Sequence, residues 1–372
     1  MLNYEFPPIG GGAGHAHRCL LERLSARQDL CMDVLTSGLD KGVHTEAMGS
    51  SVTIHRVGIH KKHLHRWKRH EVIEWLWRAG RTYRRLIKEQ SYDLVHAFFA
   101  FPSGWLCYGT RHILPYIISL RGSDVPGRNQ RLSLDYKLLG PTVFKPIWSR
   151  AAAIVACSGG LRERALRFLP SASIEVVPNG VDLDFYYPSK HTGQASERCR
   201  LITVGRLSET KRVSWLIDAV ERLMQRDRLT LTVVGGGALY DGLVRTVAQK
   251  GLSHVVTFTG RIESERMPEL YREHDVFVSA SMQEGMSNAM LEAMASGLPI
   301  VTTACEGIEE LIKDNGVVVP SDHVDALVEA IGRLVRQTDK RHEMAHAARG
   351  RALCFDWDVV ADRYLEIYRR LV

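Results

Sequence analysis

The stretch Asp275-Val276-Phe277-Val278-Ser279-Ala280, followed by Glu284-Gly285-Met286-Ser287-Asn288-Ala289-Met290-Leu291-Glu292-Ala293-Met294-Ala295-Ser296-Gly297, reads as a buried strand, a loop and a helix. The first run is short, apolar and β-branched, and Ser287 or Asn288 can cap the helix that follows. Met290, Ala293 and Met294 keep the i, i+3, i+4 spacing of a core-facing stripe, which turns Glu292 to the other side and leaves Glu284 on the loop. A helix start at the carboxyl end of a parallel strand offers unpaired N–H groups and a partial positive charge, a natural seat for phosphate. Two carboxylates beside it can accept from hydroxyls. A ligand with an anionic and a polyol part fits that pattern, and solvated glutamates on a surface helix are the plainer alternative.

The same strand, loop, helix unit recurs on both sides of this stretch. Toward the amino end of this half, Leu201 to Val204 reads as a strand closed by Gly205-Arg206-Leu207-Ser208-Glu209-Thr210-Lys211, and Trp215, Leu216, Ala219, Val220 and Leu223 mark a helix. Arg206, through its fork, and Lys211, as a point charge, flank that loop and can grip a diphosphate. Leu229 to Val234 leads into Gly235-Gly236-Gly237, and Val255 to Thr259 into Gly260-Arg261-Ile262. Pro299 to Thr302 and Gly316 to Val319 complete the strands, and helices over 323–337, 340–352 and 357–371 close the chain.

An equivalent series precedes it. Met1 to Phe6 opens as a strand, Pro7 to Gly14 forms a glycine loop containing Gly11 and Gly12, and a helix runs from His15 to Leu24. The dinucleotide pattern G-x-G-x-x-G is not completed, because His15 or His17 stands at its third glycine. Strands follow at Met32–Leu35, Val52–Val57, Tyr92–Ala97, Tyr116–Leu120, Ala151–Ala156 and Ile174–Val177, with a long charged helix ending near Gln90. The turn Pro178-Asn179-Gly180-Val181-Asp182 follows the last strand. The expected fold class is α/β, two doubly wound parallel-sheet domains: residues 1–187, a polar linker at 188–199, and residues 200–354.

Seven cysteines with no C-x-x-C pair argue against a disulfide framework and for a reducing, cytoplasmic compartment. No leader pattern and no apolar run near the ~20 residues of a membrane span are evident. The charge is uneven: residues 1–190 hold 26 Lys and Arg against 16 Asp and Glu, and the remainder 23 against 26. Residues 55–90 carry 11 basic against 3 acidic groups, interleaved with Trp67, Trp75 and Trp77. That mixture suits the surface of an anionic membrane, with Lys61, Lys62, Lys68 and Arg69 among the contacts; nucleic acid would also suit it, and a solvated helix face does so equally. His60, His63, His65 and His70 have no Cys or acidic partner at ligand spacing, so no metal site is expected of them.

Taken together, these motifs resemble the family 4 glycosyltransferases. The resemblance spans nearly the whole chain: the opening PPIGGG, Pro178-Asn179-Gly180-Val181-Asp182, Gly205-Arg206 with Lys211, the triple glycine, Glu284 and Glu292 as the family's E-x7-E signature, and Phe355-Asp356-Trp357 before the last helix. It implies a GT-B fold, two Rossmann-like domains facing across a cleft, with residues 355–372 returning to the first. It further implies a retaining, metal-independent transfer of sugar from a UDP- or GDP-linked donor to a lipid-linked or glycan acceptor, with no cofactor and no nucleic acid. Arg206 and Lys211 would hold the donor diphosphate, assisted by Gly285, Met286, Ser287 and Asn288 at the helix start. Glu284 would bind sugar hydroxyls, Glu292 the ribose, the backbone at Arg261 and Ile262 the base, and Gly11 and Gly12 would close over the phosphates. Where many relatives carry His-Gly-x-Asp, this chain has Arg121-Gly122-Ser123-Asp124, which makes Arg121 a candidate for a catalytic or anion-binding role. A nucleotide-sugar epimerase of similar fold and a non-catalytic nucleotide-binding module are the alternatives.

Overall fold

A computed structural model describes residues 1–64, 66–127, 136–189 and 198–372. His65 and positions 190–197 of the expected linker lie outside the described residues. The chain divides into two compact units, Met1–Gly180 with Trp357–Val372, and Val181–Asp356.

The first unit is built on strands β1 (Leu2–Asn3), β2 (Met32–Gly38), β3 (Val43–Met48), β4 (Val52–Gly58), β5 (Val95–Phe98), β6 (Tyr116–Leu120), β7 (Ala153–Ala156) and β8 (Ile174–Val176). Their order is β3-β4-β2-β1-β5-β6-β7-β8, and all neighbours are parallel except β3 and β4. β1 is two residues long yet central, Leu2 pairing with Leu35 on one side and Ala97 on the other. β3 is absent from the sequence reading. Its residues VHTEAM are exposed almost throughout, so no apolar alternation marks it, and it is held at the edge by its ladder to β4 and by Arg56 donating to Glu46. The first helix begins at Gly12 rather than His15, because Gly11 serves as its N-cap.

The helix Arg69–Glu89 buries Trp75, Ala79, Tyr83 and Leu86, a one-turn repeat that lays one face on the sheet. This overturns part of the membrane reading. Trp75 is a core residue at 0% exposure, and Lys61 is not a surface charge: its ammonium sits 3.1 Å from Glu71 Oε2, with both side chains almost fully buried. Glu71 also accepts from the Lys68 N–H at 2.9 Å at the helix start. Burial raises the Glu71 carboxyl, but the donors at Lys68 and Lys61 outweigh it and hold the group below the ordinary carboxylate range. Trp77, by contrast, is 57% exposed.

The last helix, Trp357–Arg369, packs within the first unit through Trp357, Val360, Ala361, Tyr364 and Tyr368. Gly180 meets it, since a Cβ there would lie 2.5 Å from the Trp357 ring. Beneath it His96 is buried between the Tyr368 hydroxyl and Ser119 Oγ, each 2.7 Å from a ring nitrogen, and burial keeps the imidazole neutral by pushing its pKa well down.

The second unit holds β9 (Cys199–Val204), β10 (Leu229–Val234), β11 (Val256–Gly260), β12 (Val276–Ser279), β13 (Ile300–Thr303) and β14 (Gly316–Val319). Their order is β11-β10-β9-β12-β13-β14, parallel throughout. The winding direction reverses between β9 and β12, and the crevice outside the carboxyl ends of such a strand pair is where open α/β sheets bind ligands.

Candidate active site

Three loops meet at the ends of β9, β10 and β11. Gly205 N donates to Val234 O (3.0 Å), Leu207 N to Gly236 O (3.0 Å) and Gly235 N to Gly260 O (2.7 Å). Glycine is required at Gly235, where φ is +126° and a Cβ would fall 2.0 Å from Gly205 O. At Gly237 a Cβ would come within 2.3 Å of Leu207 O. The β9 loop then tightens through a 3-10 turn, Glu209–Lys211, and Arg212, in the left-handed region at φ 45°, starts the helix Val213–Leu223. Met282 N donates to Thr210 O at 2.8 Å, which ties the β12 loop to this one.

That tie brings the Lys211 ammonium onto Glu284 Oε1 in a partly buried ion pair. Ser287 caps the helix Asn288–Ala295, its hydroxyl accepting from Met290 N at 3.4 Å. The loop before it is backed by Gly307, whose φ of +77° and lack of a Cβ let it lie against Gly285 O. The result is one pocket lined by Gly205, Arg206, Lys211, Ser281, Glu284 and Ser287. Arg206 is exposed there, so its guanidinium is reachable from solvent.

Ser279 and Ser281 also line this pocket and are not singled out by the sequence. Ser281 carries no helix, strand or motif signature; its position is set by Thr303 Oγ1 donating to its carbonyl at 2.8 Å. Glu292 is placed elsewhere in the same unit, one turn along the helix, where its Oε2 accepts from the Tyr271 hydroxyl at 2.9 Å. Burial pushes its carboxyl up to about 7 while the Tyr271 hydrogen bond pulls the other way. Arg261 runs beside the triple glycine, its Nε 3.5 Å from where a Gly236 Cβ would be, and Ile262 follows on the same loop.

Gly11, Gly12 and Arg121 belong to the first unit. Gly11 accepts from His15 N at 3.1 Å and so starts the helix, and Gly14 lies tight against the chain, where a Cβ would stand 2.8 Å from Glu5 O. Arg121 is half-buried, donates to Asn179 Oδ1 at 2.5 Å and lies 5.3 Å over the Phe98 ring. Its backbone N–H and that of Gly122 are taken by buried Asp124 Oδ1, at 2.9 and 3.0 Å. Two carboxylate pairs, Asp182 with Asp184 and Asp356 with Asp358, stand at D-x-D spacing, although the metal-independent reading takes the chain to hold none. Asp182 Oδ1 instead accepts from the N–H groups of Asp184 and Phe185, and no group of three or more ligand side chains gathers among the described residues. His60 is bonded to Glu74 at 2.7 Å.

Residues 10–185 match the family model described as Glycosyltransferase Family 4, and residues 198–337 match that described as Glycosyl transferases group 1. The chain belongs to the family 4 glycosyltransferases. An uncharacterized glycosyltransferase of Methanocaldococcus jannaschii is 25% identical over 393 residues, covering 99% of this chain and 97% of its own. A GDP-mannose-dependent alpha-(1-6)-phosphatidylinositol monomannoside mannosyltransferase of Mycobacterium tuberculosis is 28% identical over 247 residues, 61% of this chain and 64% of its own. Among solved structures, sucrose-phosphate synthase from Thermosynechococcus elongatus superposes with a TM-score of 0.84 at 23% identity, covering 100% of this chain and 98% of that one. HepE of Anabaena in complex with UDP-glucose gives 0.76 at 18% identity, over 99% and 98%. The fold of this glycosyltransferase is thus GT-B, two parallel-sheet α/β domains.

Proposed function

We propose that this family 4 enzyme is a retaining, metal-independent glycosyltransferase that moves a hexose from a UDP- or GDP-linked donor to a lipid-linked or glycan acceptor. The observation that carries the reading is the Lys211–Glu284 pair in a pocket at the β9/β12 reversal, beside a capped helix start. In the resting state each charge answers the other. A donor diphosphate draws Lys211 and Arg206 to itself and leaves Glu284 free to accept from sugar hydroxyls. As the bond from the anomeric carbon to phosphate oxygen breaks, its electron pair passes to that oxygen, and the two cations and the N–H groups of Met286 to Asn288 meet the growing charge. The acceptor oxygen enters on the face the phosphate leaves, and the departing phosphate takes its proton. The names of similar proteins, one GDP-mannose-dependent and one bound to UDP-glucose, support both donor classes. Arg121, a half-buried cation that donates to Asn179 and also engages Tyr364, is proposed as the contact for an anionic group on donor or acceptor.

A thermal-shift panel of UDP-, GDP- and ADP-sugars tests the donor. A ligand at 100 times its Kd stabilises by about 2.7 kcal/mol, which raises the transition by several degrees. One base should stand out, and the shift should vanish in Lys211→Ala. A panel with no shift at all sinks the reading.

We also propose that the outer face of the helix Arg69–Glu89 rests on an anionic bilayer. No helix among the described residues is long and apolar enough to cross a membrane. Ile73 and Trp77 are 65% and 57% exposed one turn apart, Arg81 lies 3.7 Å over the Trp77 ring, and Arg69, Arg84 and Lys88 are exposed on the same helix. Two apolar anchors ringed by cations suit the headgroup boundary. Replacing Ile73 and Trp77 by Glu should lower sedimentation with phosphatidylserine-containing vesicles at least tenfold. Equal sedimentation of variant and parent would rule the face out.

A further inference from the structure

Tyr271 lies on the short helix Met267–Arg272 and is fully buried, with its hydroxyl 2.9 Å from Glu292 Oε2 and 3.3 Å from Ala289 O. Its ring stands edge-on to Tyr186 at 5.9 Å and tilted against Phe277 at 6.5 Å. Arg349 fastens the same assembly from behind, donating at 2.8 Å to both Tyr186 O and Ala295 O. The other carboxylate oxygen of Glu292, Oε1, has no hydrogen-bond partner among the described residues. No cation is paired with this carboxylate among the described residues; the titratable groups that face it are Tyr271 and, behind that, Tyr186. A carboxylate gripped at one oxygen and open at the other is set to receive a vicinal diol with little loss of side-chain freedom.

We infer that Tyr271 is a positioning residue for nucleotide recognition: by donating to Oε2 it aims Oε1 of Glu292 at the donor's ribose hydroxyls. This rests on the reading in which Glu292 accepts from the ribose. The open oxygen accepts best as a carboxylate, and burial holds the group near neutrality, so the tyrosine hydrogen bond also decides how much of it is ionised in the working range. Removing that donor leaves burial less opposed and moves the ionisation to higher pH.

The test compares a nucleoside diphosphate with its 2′-deoxy counterpart, by calorimetric Kd from pH 6 to 8, on the parent, Tyr271→Phe and Glu292→Gln. The parent should prefer the ribonucleotide tenfold or more, increasingly so as pH rises through about 7. Glu292→Gln should abolish both the preference and its pH dependence. Tyr271→Phe should cut the preference about fivefold and shift its midpoint upward, which a tyrosine that merely fills space would not do. If Tyr271→Phe keeps both preference and midpoint, the positioning role is wrong while the ribose reading stands. If Glu292→Gln keeps the preference, the ribose reading and this inference fall together. Should Tyr271→Phe fold poorly, 3-fluorotyrosine at position 271, a stronger donor of nearly the same shape, should shift the midpoint downward, and an unmoved midpoint would overturn the positioning role.

Discussion

Lys211→Ala is expected to lower turnover at saturating donor a hundredfold or more, with the second unit still folded. The ammonium is held by Glu284 before any donor arrives, at the point where the leaving diphosphate would develop its charge. One preorganised group of this kind contributes on the order of 3 kcal/mol to the barrier, and each 1.36 kcal/mol is about tenfold in rate. The alanine variant loses the cation and also leaves the Glu284 carboxylate unanswered beside a second anion, so the loss should exceed that of a neutral donor. Arg206→Ala should fall in the same range, because its exposed guanidinium lines the same pocket. Pairing Lys211→Ala with Glu284→Gln should cost less than the two losses combined, as residues in direct contact couple. Initial rates of nucleoside diphosphate release with acceptor present decide it. A fall of less than fivefold would remove Lys211 from the chemistry.

Parts of this site were legible before the structure and parts were not, for reasons that lie in what sequence patterns encode. β6 and β10 are read with their bounds intact, since an interior parallel strand is a short β-branched run with sharp polar ends, and β14, though a half-exposed edge strand, is as clearly marked by its Gly-Val-Val-Val run before Pro320. Lys211 and Glu284 are each readable as loop residues after a strand. Their meeting is not, because strand order is not written in any local pattern: β9 and β12 are neighbours although two whole strand and helix repeats separate them in the chain. Tyr271 passes as one more core aromatic, and only its distance to Glu292 distinguishes it. β3 escapes notice because a solvated edge strand needs no apolar face. Counting charge along residues 55–90 treats every cation as equally exposed, and Lys61 is the one for which that is furthest from the truth.

Lys61 and Glu71 therefore carry the second large effect, on stability rather than rate. Glu71→Ala would leave a buried ammonium without its countercharge, held only by Arg66 O at 2.9 Å and the Trp67 ring, and breaking such a pair from one side costs about 3 to 5 kcal/mol. The same change removes the acceptor for the Lys68 N–H at the start of the helix Arg69–Glu89. In a domain of this size the thermal transition of the first unit should drop by roughly 10 °C. Replacing both partners by apolar residues, Lys61→Met with Glu71→Leu, should recover most of it, because the expense lies in the unpaired charge and not in the absence of the pair. The acid side has a definite sign. Glu71 is held below its ordinary range in the folded chain, so its contribution is present above the unfolded carboxylate range and is lost as pH falls through the folded value. The parent should accordingly lose more stability than the double variant on acidification below about pH 4.5. Melting curves of the three proteins at neutral and acid pH measure this directly, and a Glu71→Ala transition within two degrees of the parent would show that Lys61 finds water after all.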